Sequence, residues 1–176
     1  MTILDNPLSP DAVAHLTSAD AMFAACLALG GTVPAARREP GFGTLLRIIL
    51  EQQVSLASAD AVWRRLNGQL APLTAAGFLT LDDDSLRVLG FSRQKAVYGR
   101  GLAEAIASGA LDLDGLERAD DETAVAALVR LKGIGRWSAE IYLLMALGRP
   151  DVFPADDLGV QLGVQSLKGL ARRPTR

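Results

Sequence analysis

The 176 residues are 49% hydrophobic and carry a formal net charge of −2, which suits one compact domain or two small lobes sharing a cleft. One cysteine, Cys26, and one histidine, His15, exclude an intramolecular disulfide, a four-cysteine iron–sulfur cluster, most zinc sites and any serine–histidine triad that does not use His15. The charge is uneven, since residues 1–125 hold 10 basic and 16 acidic side chains and residues 126–176 hold 8 and 4, so an acidic chain overall still has a basic end suited to a polyanion.

The N-terminal MTILDNPLSPDA lacks the basic and apolar regions of a secretory signal. No apolar run approaches the roughly 18 residues of a bilayer-spanning helix, so a cytoplasmic protein without a membrane partner is expected. The first clear apolar stripe is Phe42, Leu45, Leu46, Ile49 and Leu50, spaced by three and four as on a core-facing helix. Beyond Gln53 a stripe resumes through Val54, Ala57, Ala61 and Leu66, with Ser55 as the expected N-cap. Asp82 to Leu89 reads as a short helix, and Ser92 caps another through Lys95, Tyr98, Leu102 and Ile106. Asp121 or Asp120 caps Ala124 to Leu131, and Trp137 to Leu147 follows. No segment alternates as a strand does. Glycine and proline at Gly30-Gly31, Gly90, Gly133, Gly135, Gly148 and Pro154 punctuate the helices. The fold class is therefore all-α, without low-complexity segments or an obvious repeat.

Between two of these helices stands RLKGIGRWSAE, Arg130 to Glu140. Gly133 is expected at positive φ where the first helix ends, and Gly135 is expected to turn the backbone tightly into the next. Such a hairpin presents backbone N–H groups at a helix N-terminus, which suits a phosphate, and Arg136 adds a cation beside it. Farther on, Pro154 in VFPADDLGV ends a segment and Asp156 is placed to N-cap a helix starting at Asp157 or Leu158. One acid suffices for a cap. The other is left to stabilise developing positive charge or to orient a water.

Together, LVRLKGIGRWSAEIYLLMALGRPDVFPADDLGV resembles the helix-hairpin-helix plus Gly/Pro…Asp signature of the DNA glycosylase superfamily, closest to the 3-methyladenine DNA glycosylase II branch. ILEQQVSLASADAVWRRL is similar to that branch's helix pair carrying the lesion-flanking wedge, and LGFSRQKAVYGRGLAEAI to its G-x-S-x-x-K-A segment. The resemblance covers about residues 42–168. It implies the helix-hairpin-helix glycosylase fold, two helical lobes flanking a cleft, within one domain over 1–176. Residues 42–110 would form the wedge and bundle lobe, and 111–176 the hairpin and catalytic aspartate segment. The family normally continues through further helices past the point where RRPTR ends this chain, so C-terminal helices are missing by that standard.

The resemblance also assigns roles. Leu131, Lys132, Gly133, Ile134, Gly135 and Arg136 would hold DNA phosphate, with a monovalent cation on the backbone carbonyls of Leu131 and Gly133 and no metal held by side chains. Asp157, in a D-x-x-V context, matches the catalytic aspartate, leaving Asp156 as the cap. Gln53 matches the wedge. Trp137 stands where lyase-active branches carry a lysine, which implies a monofunctional enzyme that forms no Schiff base. Its ring suits a wall for a flipped, cationic base. The implied function is base excision repair of alkylated bases in double-stranded damaged DNA by a monomer without an iron–sulfur cluster. Two other readings stay open: a related glycosylase for deaminated bases, and a non-catalytic helix-hairpin-helix DNA-binding module.

Overall fold

A computed structural model describes residues 10–30 and 37–175 of the chain. The stretch from Met1 to Ser9, residues 31–36 and Arg176 lie outside the described residues, and with them most of the N-terminal reading against a signal, the Gly31 break and part of the C-terminal basic excess. The described residues form α1 (Pro10–Ala19), α2 (Ala21–Gly30), α3 (Phe42–Glu51), α4 (Leu56–Gln69), α5 (Ala75–Leu79), α6 (Asp83–Leu89), α7 (Arg93–Ala107), α8 (Leu113–Arg118), α9 (Asp121–Val129), α10 (Arg136–Met145) and α11 (Leu158–Lys168). None of these helices is long and apolar enough to cross a membrane. The all-α expectation holds.

The chain divides into two compact units. One runs from Glu39 to Phe153 and holds α3 to α10; the other joins α1 and α2 to the segment from Pro154 onward, with α11. The lobe boundary expected near residue 110 thus falls inside the first unit, between α7 and α8. The reason is that α10 comes back to pack on α3, so the later half of the chain closes on the earlier one.

Within the first unit α3 is the central helix. Phe42, Leu45, Leu46, Ile48, Ile49 and Leu50 are all buried, because α4, α7 and α10 each cover part of its circumference. Phe78 of α5 is fully buried between Phe42 and Phe91, with ring centroids 5.6 and 5.7 Å away; burying such a ring is worth roughly 1.5–3 kcal/mol. A charge is also buried in α3. The Arg47 guanidinium is paired with Glu51 (2.8 Å) and Asp60 of α4 and lies over the Trp63 ring. Tyr142 of α10, fully buried, accepts a hydrogen bond through its Oη from the N–H of Gly41 (3.0 Å), the residue that opens α3.

Side-chain caps start most of the other helices in this unit. Ser55 accepts from Ser58 N, Thr74 from Gly77 N, Asp82 from Ser85 N, Ser92 from Lys95 N and Asp120 from Thr123 N, at 2.8 to 3.2 Å. Each such cap contributes about 1 kcal/mol. The expected caps Ser55 and Ser92 hold, and of the two acids offered for α9 the structure chooses Asp120.

α7 reaches the core through a glycine. A methyl group at Gly99 would stand 2.9 Å from the Phe78 ring and 3.0 Å from Leu46. Replacing a helical glycine by alanine gains about 1 kcal/mol of helix propensity, but overpacking a tight core costs about 1–3 kcal/mol. Gly99→Ala is therefore expected to lose about 1 kcal/mol net, measured as a lower urea midpoint at unchanged slope. A stabilised variant would show that α7 is not so closely packed.

Candidate nucleic-acid interface

The hairpin joins α9 to α10. Ile134 is buried and Leu131 packs half-buried against the core, so the turn is anchored by its apolar residues. Its backbone closes through Ile134 N–H donating to Leu131 O at 3.1 Å. Gly133 has φ +93, and a Cβ there would meet the Tyr98 ring at 2.3 Å. Positive φ and lack of space both demand glycine at this position. Gly135 differs from the expectation. Its φ of −88 and ψ of 175 are ordinary extended backbone, and a Cβ would meet nothing within 4 Å. Nothing inside the unit requires glycine there. Gly135 is the N-cap of α10, which has no side-chain cap, and the residue is exposed. The helix start is bare where an outside group can approach.

Lys132 is exposed at the turn. Arg136 takes a different part from the one expected. Its guanidinium is engaged by Glu122 of α9 and by Glu140 one turn along α10 (Nε to Oε1 2.9 Å), and these partners raise its already high pKa further. Glu140 is buried, and a buried carboxylate needs such a partner. Arg136 therefore ties α9 to α10, and its charge is already compensated before any phosphate arrives.

The loop between α3 and α4 carries Gln53, exposed and at φ 55, the one described non-glycine residue in the left-handed region. Such a conformation costs about 1–3 kcal/mol and marks a constrained site. The preceding Gln52, which sequence reasoning passed over, turns the other way. Its Nε2 donates to Gly133 O (2.9 Å) and to Ser138 Oγ (2.9 Å). Lys95, quoted from the sequence without a role, donates from Nζ to Leu50 O (2.7 Å) and Gln52 O (2.9 Å), and burial pulls its pKa down. An open cavity of about 280 Å³ lies beside this loop, lined among others by Gln53, Ser58, Ser92, Gln94, Lys95 and Tyr98. Trp137 does not line it. The indole packs half-buried against the core at the first turn of α10.

Asp157 belongs to the other unit, at the start of α11. Here the sequence reading is corrected. Asp157 itself is the N-cap, its Oδ1 accepting from Val160 N at 2.9 Å, and Asp156 is the exposed residue before it. The turn from Pro154, whose carbonyl accepts from Asp157 N at 2.9 Å, sets that register. Among the described residues no cluster of acidic, histidine or cysteine side chains could hold a metal ion.

The turn at Gly133 and the bare start of α10 define a helix-hairpin-helix protein, a class that presents backbone amides to a nucleic-acid backbone. The model of the HhH-GPD superfamily of base excision DNA repair proteins matches residues 46–176, and the chain belongs to that family. It is 34% identical over 146 residues to DNA-3-methyladenine glycosylase 1 of Schizosaccharomyces pombe, covering 80% of this chain and 63% of that protein. A solved structure of the 3-methyladenine DNA glycosylase of S. pombe in complex with abasic DNA superposes with a TM-score of 0.86 at 30% identity, over 94% of this chain and 84% of that one. A DNA-3-methyladenine glycosidase structure from Bacillus halodurans gives 0.78 at 33% identity, over 92% and 75%. The chain spans about half to five-eighths of the length of curated relatives that it matches.

The two hairpin glycines should separate in a stability measurement. Gly133→Ala meets Tyr98 and a positive φ together, so a loss of about 2–4 kcal/mol is expected. Gly135→Ala meets neither, and a change within about 0.5 kcal/mol is expected. Equal losses in thermal or urea unfolding would contradict the geometry of the turn.

Proposed function

We propose that the chain is a monofunctional DNA glycosylase that removes alkylated bases such as 3-methyladenine from double-stranded DNA, acting as a monomer in base excision repair. The observation that carries this reading is Gln53: an exposed side chain held in a constrained backbone conformation, on a loop hydrogen-bonded through its neighbour to the hairpin. The names of the similar proteins point to the same chemistry.

The steps follow from the residues. The hairpin amides hold a backbone phosphate, with the dipole of α10 behind them. A monovalent cation on the carbonyl side would add charge. Leu131 O and Gly133 O each already accept one hydrogen bond, from Ile134 N and Gln52 Nε2, and a carbonyl oxygen has a second lone pair for an ion. Gln53 fills the gap left when a base is extruded, a process costing a few kcal/mol of unstacking. The exposed part of the Trp137 ring faces the extruded base, and a cationic alkylpurine gains up to about 2 kcal/mol from a desolvated indole. The glycosidic bond then breaks with its electron pair leaving on the base, and the sugar takes on oxocarbenium character. The Asp157 carboxylate stabilises that cation, orients a water whose oxygen bonds to C1′, and accepts the proton that the water gives up.

Base release from lesion-bearing duplexes, read before and after alkali, tests this reading. Asn can replace Asp as a cap at little cost, so Asp157→Asn is expected to keep the fold and duplex binding while single-turnover release falls by about a hundredfold or more. Wild-type rates for Asp157→Asn alongside a loss in Asp156→Asn would reverse the assignment.

The product should be an intact abasic strand that breaks only in alkali, since position 137 has no amine. Borohydride should trap no covalent protein–DNA adduct. A trapped adduct would make the enzyme a lyase and turn attention to Lys132.

A further inference from the structure

The side chains of Gln52 and Gln53 do opposite things. Gln53 is exposed and left-handed, a backbone conformation that a residue with a Cβ adopts only when its surroundings impose it. The imposing contacts lie one residue back. α3 ends poorly by itself, with Gln52 N reaching Ile49 O at 3.4 Å. The Lys95 ammonium compensates by donating to Leu50 O and Gln52 O at 2.7 and 2.9 Å, so the last carbonyls of α3 are held from α7. The Gln52 carboxamide then donates to Gly133 O in the hairpin and to Ser138 Oγ in α10, both at 2.9 Å. Ser138 is buried and Gly133 is pinned against Tyr98, so both acceptors sit on immobile supports.

We infer that Gln52 is a positioning residue: its carboxamide fixes the point at which Gln53 enters a duplex relative to the phosphate gripped by the hairpin. The inference rests on the reading of Gln53 as wedge and of the hairpin as phosphate clamp. Consecutive Cα atoms are about 3.8 Å apart, so anchoring residue 52 to the hairpin leaves residue 53 little latitude. Backbone capture and wedge insertion become one rigid action. Without the strut the loop would have to be ordered at the moment of insertion, at the expense of base extrusion and not of duplex affinity.

The test uses the full chain and a duplex with 2-aminopurine next to the lesion, whose fluorescence rises on extrusion. Anisotropy with a lesion-free duplex reports the hairpin grip. Gln52→Ala is expected to lower the extrusion equilibrium about tenfold, for two lost hydrogen bonds, while lesion-free affinity changes less than about twofold because phosphate contacts dominate it. Gln52→Met keeps the length but can neither donate to Gly133 O nor pair with the Ser138 hydroxyl, and should behave like the alanine variant. In the Gln53→Ala background the effect of Gln52→Ala should disappear, to within about twofold, because Gln52 acts through Gln53. Ser138→Ala removes one acceptor with little change in volume and guards against a Gln52 variant that fails to fold. It should lower extrusion about threefold, and again only when Gln53 is present. Additive losses, wild-type extrusion by Gln52→Met, or a Ser138→Ala effect independent of Gln53 would each overturn the proposal. If the wild-type protein binds duplex with no fluorescence change, the wedge reading itself fails and the proposal goes with it.

Discussion

The close packing of the Tyr98 ring on Gly133 organises the hairpin side of the larger unit. There is no room for a side chain between them, so the hairpin backbone lies directly on α7. Lys95 lies three residues before Tyr98, on the same face of that helix, and its ammonium holds the end of α3. One helix face thus supports both the hairpin and the loop between α3 and α4 that carries Gln53. Gln94, one turn before Tyr98, donates to its hydroxyl at 2.6 Å and fixes the ring. Beside that face α7 is pressed into the core, where Gly99 admits Phe78 and Leu46. A platform seated that closely transmits position well, because a packed interior does not deform continuously.

Electrostatics in the hairpin are more economical than the sequence suggests. Arg136 looks like a phosphate cation, yet Glu122 and Glu140 both hold it. What is left for an anion at the start of α10 is mainly the backbone: amides without a side-chain cap and the positive end of the helix. That arrangement suits a chain with a net charge of −2. Fixed backbone dipoles also carry no sequence information.

Much of this was legible in the sequence, for identifiable reasons. Ser55 and Ser92 were readable as caps because each precedes a periodic apolar run. α5 and α8, at five and six residues, complete fewer than two turns and show no stripe. α2 is apolar on every side, so periodicity could not reveal it. The hairpin glycines were visible, but not that Gly133 alone is demanded internally. The pairing of Arg136 with Glu140 could have been read from the four-residue spacing; that with Glu122 depends on how α9 meets α10. The two glutamines are a harder case. Adjacent identical side chains give a sequence no means of telling the anchored glutamine from the exposed one, and the distinction arises only when the backbone at residue 53 turns left-handed.

The same difficulty attends the adjacent acids Asp156 and Asp157, and its resolution changes what the catalytic candidate is. The sequence suggested a division of labour, with one acid capping and the other reacting. The structure gives the cap to Asp157, with Oδ1 on Val160 N. Capping and reaction need not compete, because a carboxylate has two oxygens and about four lone-pair directions. Anchoring through one oxygen fixes the rotamer before any substrate binds, so little orientational entropy is lost in reaching the transition state. Side-chain length follows from the same contact. An aspartate reaches the amide three residues on from the N-cap position, whereas the extra methylene of a glutamate would displace the carboxylate from that geometry. A carboxylate placed by its own helix is therefore specified as aspartate by local backbone structure, whatever it does to a sugar.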